Sequence, residues 1–92
     1  MFELNAFIKD GEQIIPFHLQ ISEPLQSDND DDYSCQVHIP LFFNKDKNIF
    51  GINEEQAREL SINFVASLLK DKELIDNNGQ AINLQNFNWI NP

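Results

Sequence analysis

Two alternating segments joined by Asp10-Gly11 constrain this chain most. Phe2, Leu4, Ala6 and Ile8 alternate with more polar neighbours, and Ile15, Phe17, Leu19 and Ile21 alternate in the opposite parity. A period of two is the mark of a strand with one buried face. Asp10-Gly11 between them predicts a hairpin, because a two-residue type I′ turn needs positive φ at both central positions. That turn sets Lys9 opposite Glu12, Ala6 opposite Ile15, Leu4 opposite Phe17 and Phe2 opposite Leu19. These apolar pairs then all fall on one face, so turn and pattern agree. Pro16 removes one ladder donor, which predicts an edge or bulge near it.

Residues 22–32 are expected to form a loop, and Tyr33, Cys35, Val37, Ile39 and Leu41 restart the alternation as a third strand. Folding back antiparallel on the second strand pairs Ile21 with Cys35, Leu19 with Val37 and Phe17 with Ile39. Asn44 to Asn48 then makes a turn, and Ile49-Phe50 a short fourth strand. Asn53-Glu54-Glu55-Gln56 is a capping-box variant: Asn53 accepts from the third helical amide and Gln56 reaches back. Glu54 and Glu55 suit the positive helix end. Ala57, Leu60, Phe64, Val65, Leu68 and Leu69 make an apolar stripe, with Glu54 and Arg58 as an i,i+4 pair on the other face. The helix is expected to end near Lys70–Lys72. Asp76-Asn77-Asn78-Gly79 reads as a turn, Ala81 to Leu84 as a last strand, and Phe87 and Trp89 as the closing core residues. The fold class is α+β: one domain over residues 1–92, an antiparallel meander of four or five strands with one helix across one face.

The net charge of −9 is uneven. Residues 1–32 hold eight acids (Glu3, Asp10, Glu12, Glu23, Asp28, Asp30, Asp31, Asp32) against Lys9, a net −7. The five Lys and one Arg are scattered among fifteen acids, which argues against nucleic acid as a partner, since phosphate contacts need bases on a common surface. No stretch approaches the roughly 18 apolar residues of a membrane span. The first residues lack the basic and apolar regions of a signal peptide, and Cys35 has no internal disulfide partner. A cytoplasmic location is the expectation.

The run Asp28-Asn29-Asp30-Asp31-Asp32 has two readings: a surface that steers and docks a basic partner, or a solvated loop that keeps the chain in solution. It lacks the Asp-x-Asp-x-Asp-Gly spacing and distal Glu of a calcium loop. His18 and His38 are expected opposite each other on the outer sheet face, without an evident third metal ligand. Cys35 alternates with apolar residues and reads as a core thiol. Neither catalytic residues nor a cofactor are assigned. Phe7 is expected opposite Ile14, an apolar pair inside an acidic rim. The candidate partner-binding residues are therefore Asp28, Asp30, Asp31, Asp32, Glu23, Glu12, Glu3, Phe7 and Ile14.

Tyr33-Ser34-Cys35-Gln36-Val37, Phe50-Gly51-Ile52-Asn53 and Gln56-Ala57 with Leu60 resemble a family of small bacterial proteins of uncharacterised function. That family shows a hairpin, an aromatic-x-Cys strand, a Gly-rooted helix and a late Trp. The likeness spans residues 2–89, and the long acidic loop departs from it. In size and acidity the chain also resembles immunity proteins of bacterial toxin systems, including contact-dependent growth inhibition. That likeness implies a non-enzymatic cytosolic protein that neutralises a cognate toxin domain, often a basic nuclease. The alternative is a structural or regulatory interaction module, monomeric or a homodimer joined through a sheet edge.

Overall fold

The computed structural model describes residues 1–26 and 32–84. The hairpin forms as β1 (Phe2–Asp10) and β2 (Gln13–Ile21). Its register is two residues from the expected one: Ala6 faces Phe17, Leu4 faces Leu19 and Phe2 faces Ile21. The central turn residues are Gly11 and Glu12, and only Gly11 (φ 63°) has positive φ. This is the requirement of a type II′ turn, with glycine at the first central position. A type I′ turn at Asp10-Gly11 would have forced Asp10 into the left-handed region. The shift preserves parity, so the same residues stay inside. It moves the cross-strand neighbours: Lys9 faces Ile14 rather than Glu12, and Phe7 faces Pro16 rather than Ile14.

Beyond β2 the chain bends at Ser22–Pro24 and pairs again as β3 (Leu25–Gln26), so part of the expected loop is strand. Both β2 and β3 lie along one edge of β4 (Tyr33–His38), while β5 (Lys47–Gly51) lies along the other. The bend is held by Ser22. Its N–H donates to the Gln36 carbonyl at 3.0 Å, and its Oγ accepts from the Gln36 N–H at 2.8 Å. A side-chain oxygen thus stands in for a ladder carbonyl where the backbone departs. The β2–β4 register is also offset by two: Ile21 faces Val37, and Gln20, not His18, faces His38. Gln13–Leu19 of β2 has no strand pairing on the side away from β1 among the described residues, which accommodates Pro16.

Helix α1 (Glu54–Leu68) begins as the capping pattern predicts. The Gln56 N–H donates to Asn53 Oδ1 at 2.7 Å, and Gln56 Oε1 accepts from the Ile52 N–H at 2.8 Å. It ends at Leu68, before the expected Lys70–Lys72. The chain then crosses to the far edge, where β6 (Glu73–Ile75) pairs antiparallel with Phe7–Lys9 of β1. The last strand is therefore Glu73–Ile75. Residues 81–84 contribute only a bridge, Ala81 to Ile75, and a bond from the Ile82 N–H to the Leu74 carbonyl. The turn between them is tied by Asp76, whose Oδ1 accepts from the Asn78 and Gln80 N–H groups. The architecture is a six-stranded antiparallel sheet with one helix packed on it.

The buried face carries Phe2, Ala6, Ile8, Phe17, Leu19, Ile21, Cys35, Val37 and Ile39. Helix α1 covers its β4–β5 half through Ala57, Ser61 and Val65. Ser61 was not expected inside. Its hydroxyl donates to the Ala57 carbonyl at 2.7 Å, which removes the cost of burying it. Leu60, expected in the stripe, is 40% exposed. Phe42 packs on Phe17 with ring centroids 6.0 Å apart, and Phe43 stacks on Phe64 at 6.1 Å, so the β4–β5 connection closes one end of the core. Phe87 and Trp89 lie outside the described residues.

Candidate functional site

Strand parity divides the sheet's side chains between helix and solvent. Cys35 and Val37 face the core, so Ser34, Gln36 and His38 face out. Leu25 pairs with Ser34, and Ser34 with Phe50, so these three form one outward row across β3, β4 and β5. Leu25 is 64% exposed and Phe50 56%. Ile52, two residues beyond Phe50, is 69% exposed. This row lies beside the start of β4, directly after exposed Asp32, so the acidic segment joins the sheet at the apolar row. Asp28, Asp30 and Asp31 lie outside the described residues.

The remaining candidates divide between the two ends of the hairpin. Glu3 is on the outer face near the β4 end, where its Oε2 accepts from Gln20 Nε2 at 2.6 Å. Glu23 sits at the β2–β3 bend and turns to internal partners, pairing with the Met1 amine and lying 3.6 Å from Arg58 Nη2. Arg58 also meets Glu54 at 3.8 Å, the expected i,i+4 pair. Glu12 and Ile14 sit at the hairpin tip. Seven residues separate Ile14 from Ile21, about 23 Å at roughly 3.3 Å per strand residue. Glu12 and Ile14 therefore do not share a contact patch with the Asp32 end.

Phe7, Pro16, Asn5, His18, Asp76 and Asn77 line an open groove of about 540 Å³ on the outer face. Phe7 is half-buried there, flanked by Pro16 on β2 and Ile75 on β6. His18 Nδ1 lies 2.5 Å from Asn5 Oδ1, and His38 Nδ1 lies 2.7 Å from Asp46 Oδ1. The two imidazoles stand edge to face, 6.3 Å apart, although their residues are not paired. Among the described residues no group of three His, Cys, Asp or Glu is placed to hold a metal ion. No described helix is long and apolar enough to cross a membrane.

Cys35 is buried beneath the helix. Burial pushes its thiol pKa up, against the smaller lowering effects of the Ser61 hydroxyl and the Arg58 charge. The protonated thiol is a poor nucleophile. At neutral pH a thiol reagent should therefore leave native protein unmodified over a time in which denatured protein reacts at one site per chain. A folded-state pKa above the unfolded value stabilises below the ordinary thiol range, and that contribution is lost as pH rises through the raised value. Urea midpoints between neutral and alkaline pH should fall in wild type by more than in Cys35→Ala.

The signal that could have found the Leu25–Phe50 row was present but incomplete. Inward Cys35 implies outward Ser34, while the two flanking registers depend on the bend at Ser22. Comparison of this chain with protein-family models, with curated proteins and with solved structures gave no match.

Proposed function

We propose that this chain is a non-enzymatic binding protein that neutralises a basic protein partner, in the manner of an immunity protein for a bacterial toxin domain. The observation that carries the reading is the junction of charge and apolar surface at one end of the sheet. There Asp32 leads into β4 beside the exposed Leu25–Ser34–Phe50 row. An apolar centre with a charged rim is the composition of a protein interface. Asp28, Asp30, Asp31 and Asp32 take the place of nucleic-acid phosphates and meet Lys and Arg of the partner; Glu3, aligned through Gln20 with His38, lies about 20 Å along β4 from Asp32 and is not part of that contact. The rim governs the rate of encounter, and cover for Leu25 and Phe50 contributes up to about 1.5–3 kcal/mol each. Glu23 acts as a brace to Arg58 and not as a contact. Phe7, Ile14 and Glu12 are engaged only by a partner that spans the length of β2.

The test is co-expression with the C-terminal domain encoded by the adjacent upstream gene. The reading expects a stable complex on size exclusion and loss of that domain's toxicity. Toxicity unchanged by an excess of this chain, with no co-elution, overturns it.

A further inference from the structure

We propose that Asn78 is the site of a slow self-modification, deamidation through a cyclic imide, and that the turn tied by Asp76 holds it off until that turn opens. Asn78 is the only asparagine followed by glycine in the sequence, and both residues are exposed. Closure of an asparagine side chain onto the next backbone nitrogen makes a five-membered ring. Glycine in that next position has no Cβ to obstruct the approach.

The reaction needs only water. The Gly79 nitrogen gives its proton to solvent hydroxide and attacks Asn78 Cγ. The new C–N bond closes a succinimide, and the side-chain nitrogen takes a proton from water and leaves as ammonia. Water then opens the imide at either carbonyl. Hydrolysis on the side-chain side gives aspartate, and hydrolysis on the main-chain side gives isoaspartate. Nothing is oxidised or reduced.

The closed turn opposes the first step. The Gly79 N–H donates to the Asp76 carbonyl at 3.0 Å, so the lone pair left by deprotonation would face that oxygen and not Asn78 Cγ. The neighbouring amides are held by the same residue. Asp76 Oδ1 accepts from the Asn78 N–H at 2.8 Å and from the Gln80 N–H at 3.0 Å, and the Asp76 N–H donates to the Gln80 carbonyl at 2.9 Å. The opening that frees Gly79 is local, because residues 77–80 are exposed and supply nothing to the core.

The turn also leads into the cover of β6. The Ala81 bridge to Ile75 and the Ile82 bond to the Leu74 carbonyl follow it directly. An isoaspartyl link lengthens the main chain before Gly79 and displaces the Gly79 and Gln80 N–H groups from Asp76. Modification therefore loosens the cover of that edge, and a covered edge is a guarded one. The site is independent of toxin binding, since β6 lies at the opposite edge of the sheet from β3.

The test incubates purified protein at neutral pH, well below its melting transition, and follows mass and isoaspartate content in the peptide that contains Asn78. Folded wild type should convert at least roughly tenfold more slowly than wild type in denaturing urea. Asp76→Ala removes both Oδ1 bonds and should speed conversion of the folded protein by roughly tenfold or more. Asp76→Asn keeps an acceptor in place and should stay within about threefold of wild type. Gly51→Ala, which acts on a remote contact, and wild type in urea below its unfolding transition should both convert within about twofold of the wild-type rate. A denatured chain that does not convert at Asn78 overturns the proposal, as does a folded rate equal to the denatured one; neither comparison depends on a variant that folds. An Asp76→Ala rate equal to wild type also overturns it. So does acceleration by Gly51→Ala or dilute urea as large as that by Asp76→Ala, because the gate would then be global unfolding.

Discussion

Gly51→Ala should lower the thermal midpoint by on the order of 15 °C, the largest effect expected of any single methyl group in this chain. An ideal Cβ at Gly51 would lie 2.5 Å from the Ala57 nitrogen and 2.9 Å from both the Ala57 Cα and the Gln56 carbonyl carbon. All three are backbone atoms of the first helical turn, so no rotamer change relieves the contact. Either β5 or the start of α1 must move, and the start of α1 is held by Asn53 and Gln56. Overpacking of this kind costs about 1–3 kcal/mol or more. Domains of this size lose roughly 4–8 °C per kcal/mol. Gly79→Ala is the contrast: nothing lies within 4 Å of its Cβ, but φ is 82°. Its cost is backbone strain alone, about 1 kcal/mol. Thermal melts of the two variants side by side check the account. A Gly51→Ala midpoint within about 2 °C of wild type would mean the helix does not rest on β5 as described.

The same contact shows which parts of the fold local sequence could specify. Parity around Cys35 and Val37, the Asn53 cap and the Asp76 turn depend on neighbours a few residues away, and all three are readable from the chain. The hairpin faces were readable too, because either two-residue turn puts Phe2, Leu4, Ala6 and Ile8 inside. The register was not. The choice between Asp10-Gly11 and Gly11-Glu12 turns on which residue takes positive φ, and the apolar pattern is indifferent to a shift of two. Strand β6 was hidden for another reason. Glu73-Leu74-Ile75 is too short to show a period and becomes a strand only because Phe7–Lys9 offers an edge. Ser61 did not enter the apolar stripe because a hydroxyl carries no apolar signal, while its bond to the Ala57 carbonyl lets it lie inside.

The candidate site was partly legible in the same sense. Composition marks the acidic run without structural help. That Leu25 and Phe50 stand in one row with Ser34 requires the registers on both sides of β4, one of which Ser22 sets from 14 residues away. Phe7 and Ile14 stand directly opposite only in the unshifted register; in the observed one they are diagonal neighbours that line an open pocket with Ile75 and Asn77.

The second large effect is kinetic. Replacing Asp30, Asp31 and Asp32 together by Asn removes three charges from the segment before β4 without changing side-chain size. Clustered charge raises encounter rates by tenfold to a thousandfold, and the effect is screened by salt. The variant should therefore associate with the proposed basic toxin domain roughly tenfold more slowly than the wild type at low ionic strength. Its dissociation rate should change less, because rim charges act mainly on approach. Leu25→Ser should show the converse, with faster dissociation and little change in association, because Leu25 belongs to the apolar centre.

The most direct test of the acidic docking end is the association rate constant of wild type and the Asp30/Asp31/Asp32→Asn variant with that domain. It is measured by stopped flow at ~0.01 M and ~1 M salt, where the screening lengths are about 30 Å and 3 Å. The account predicts a wide gap between the two proteins at low salt that closes at high salt. Equal rates at both salt concentrations would contradict it and remove the acidic run from recognition.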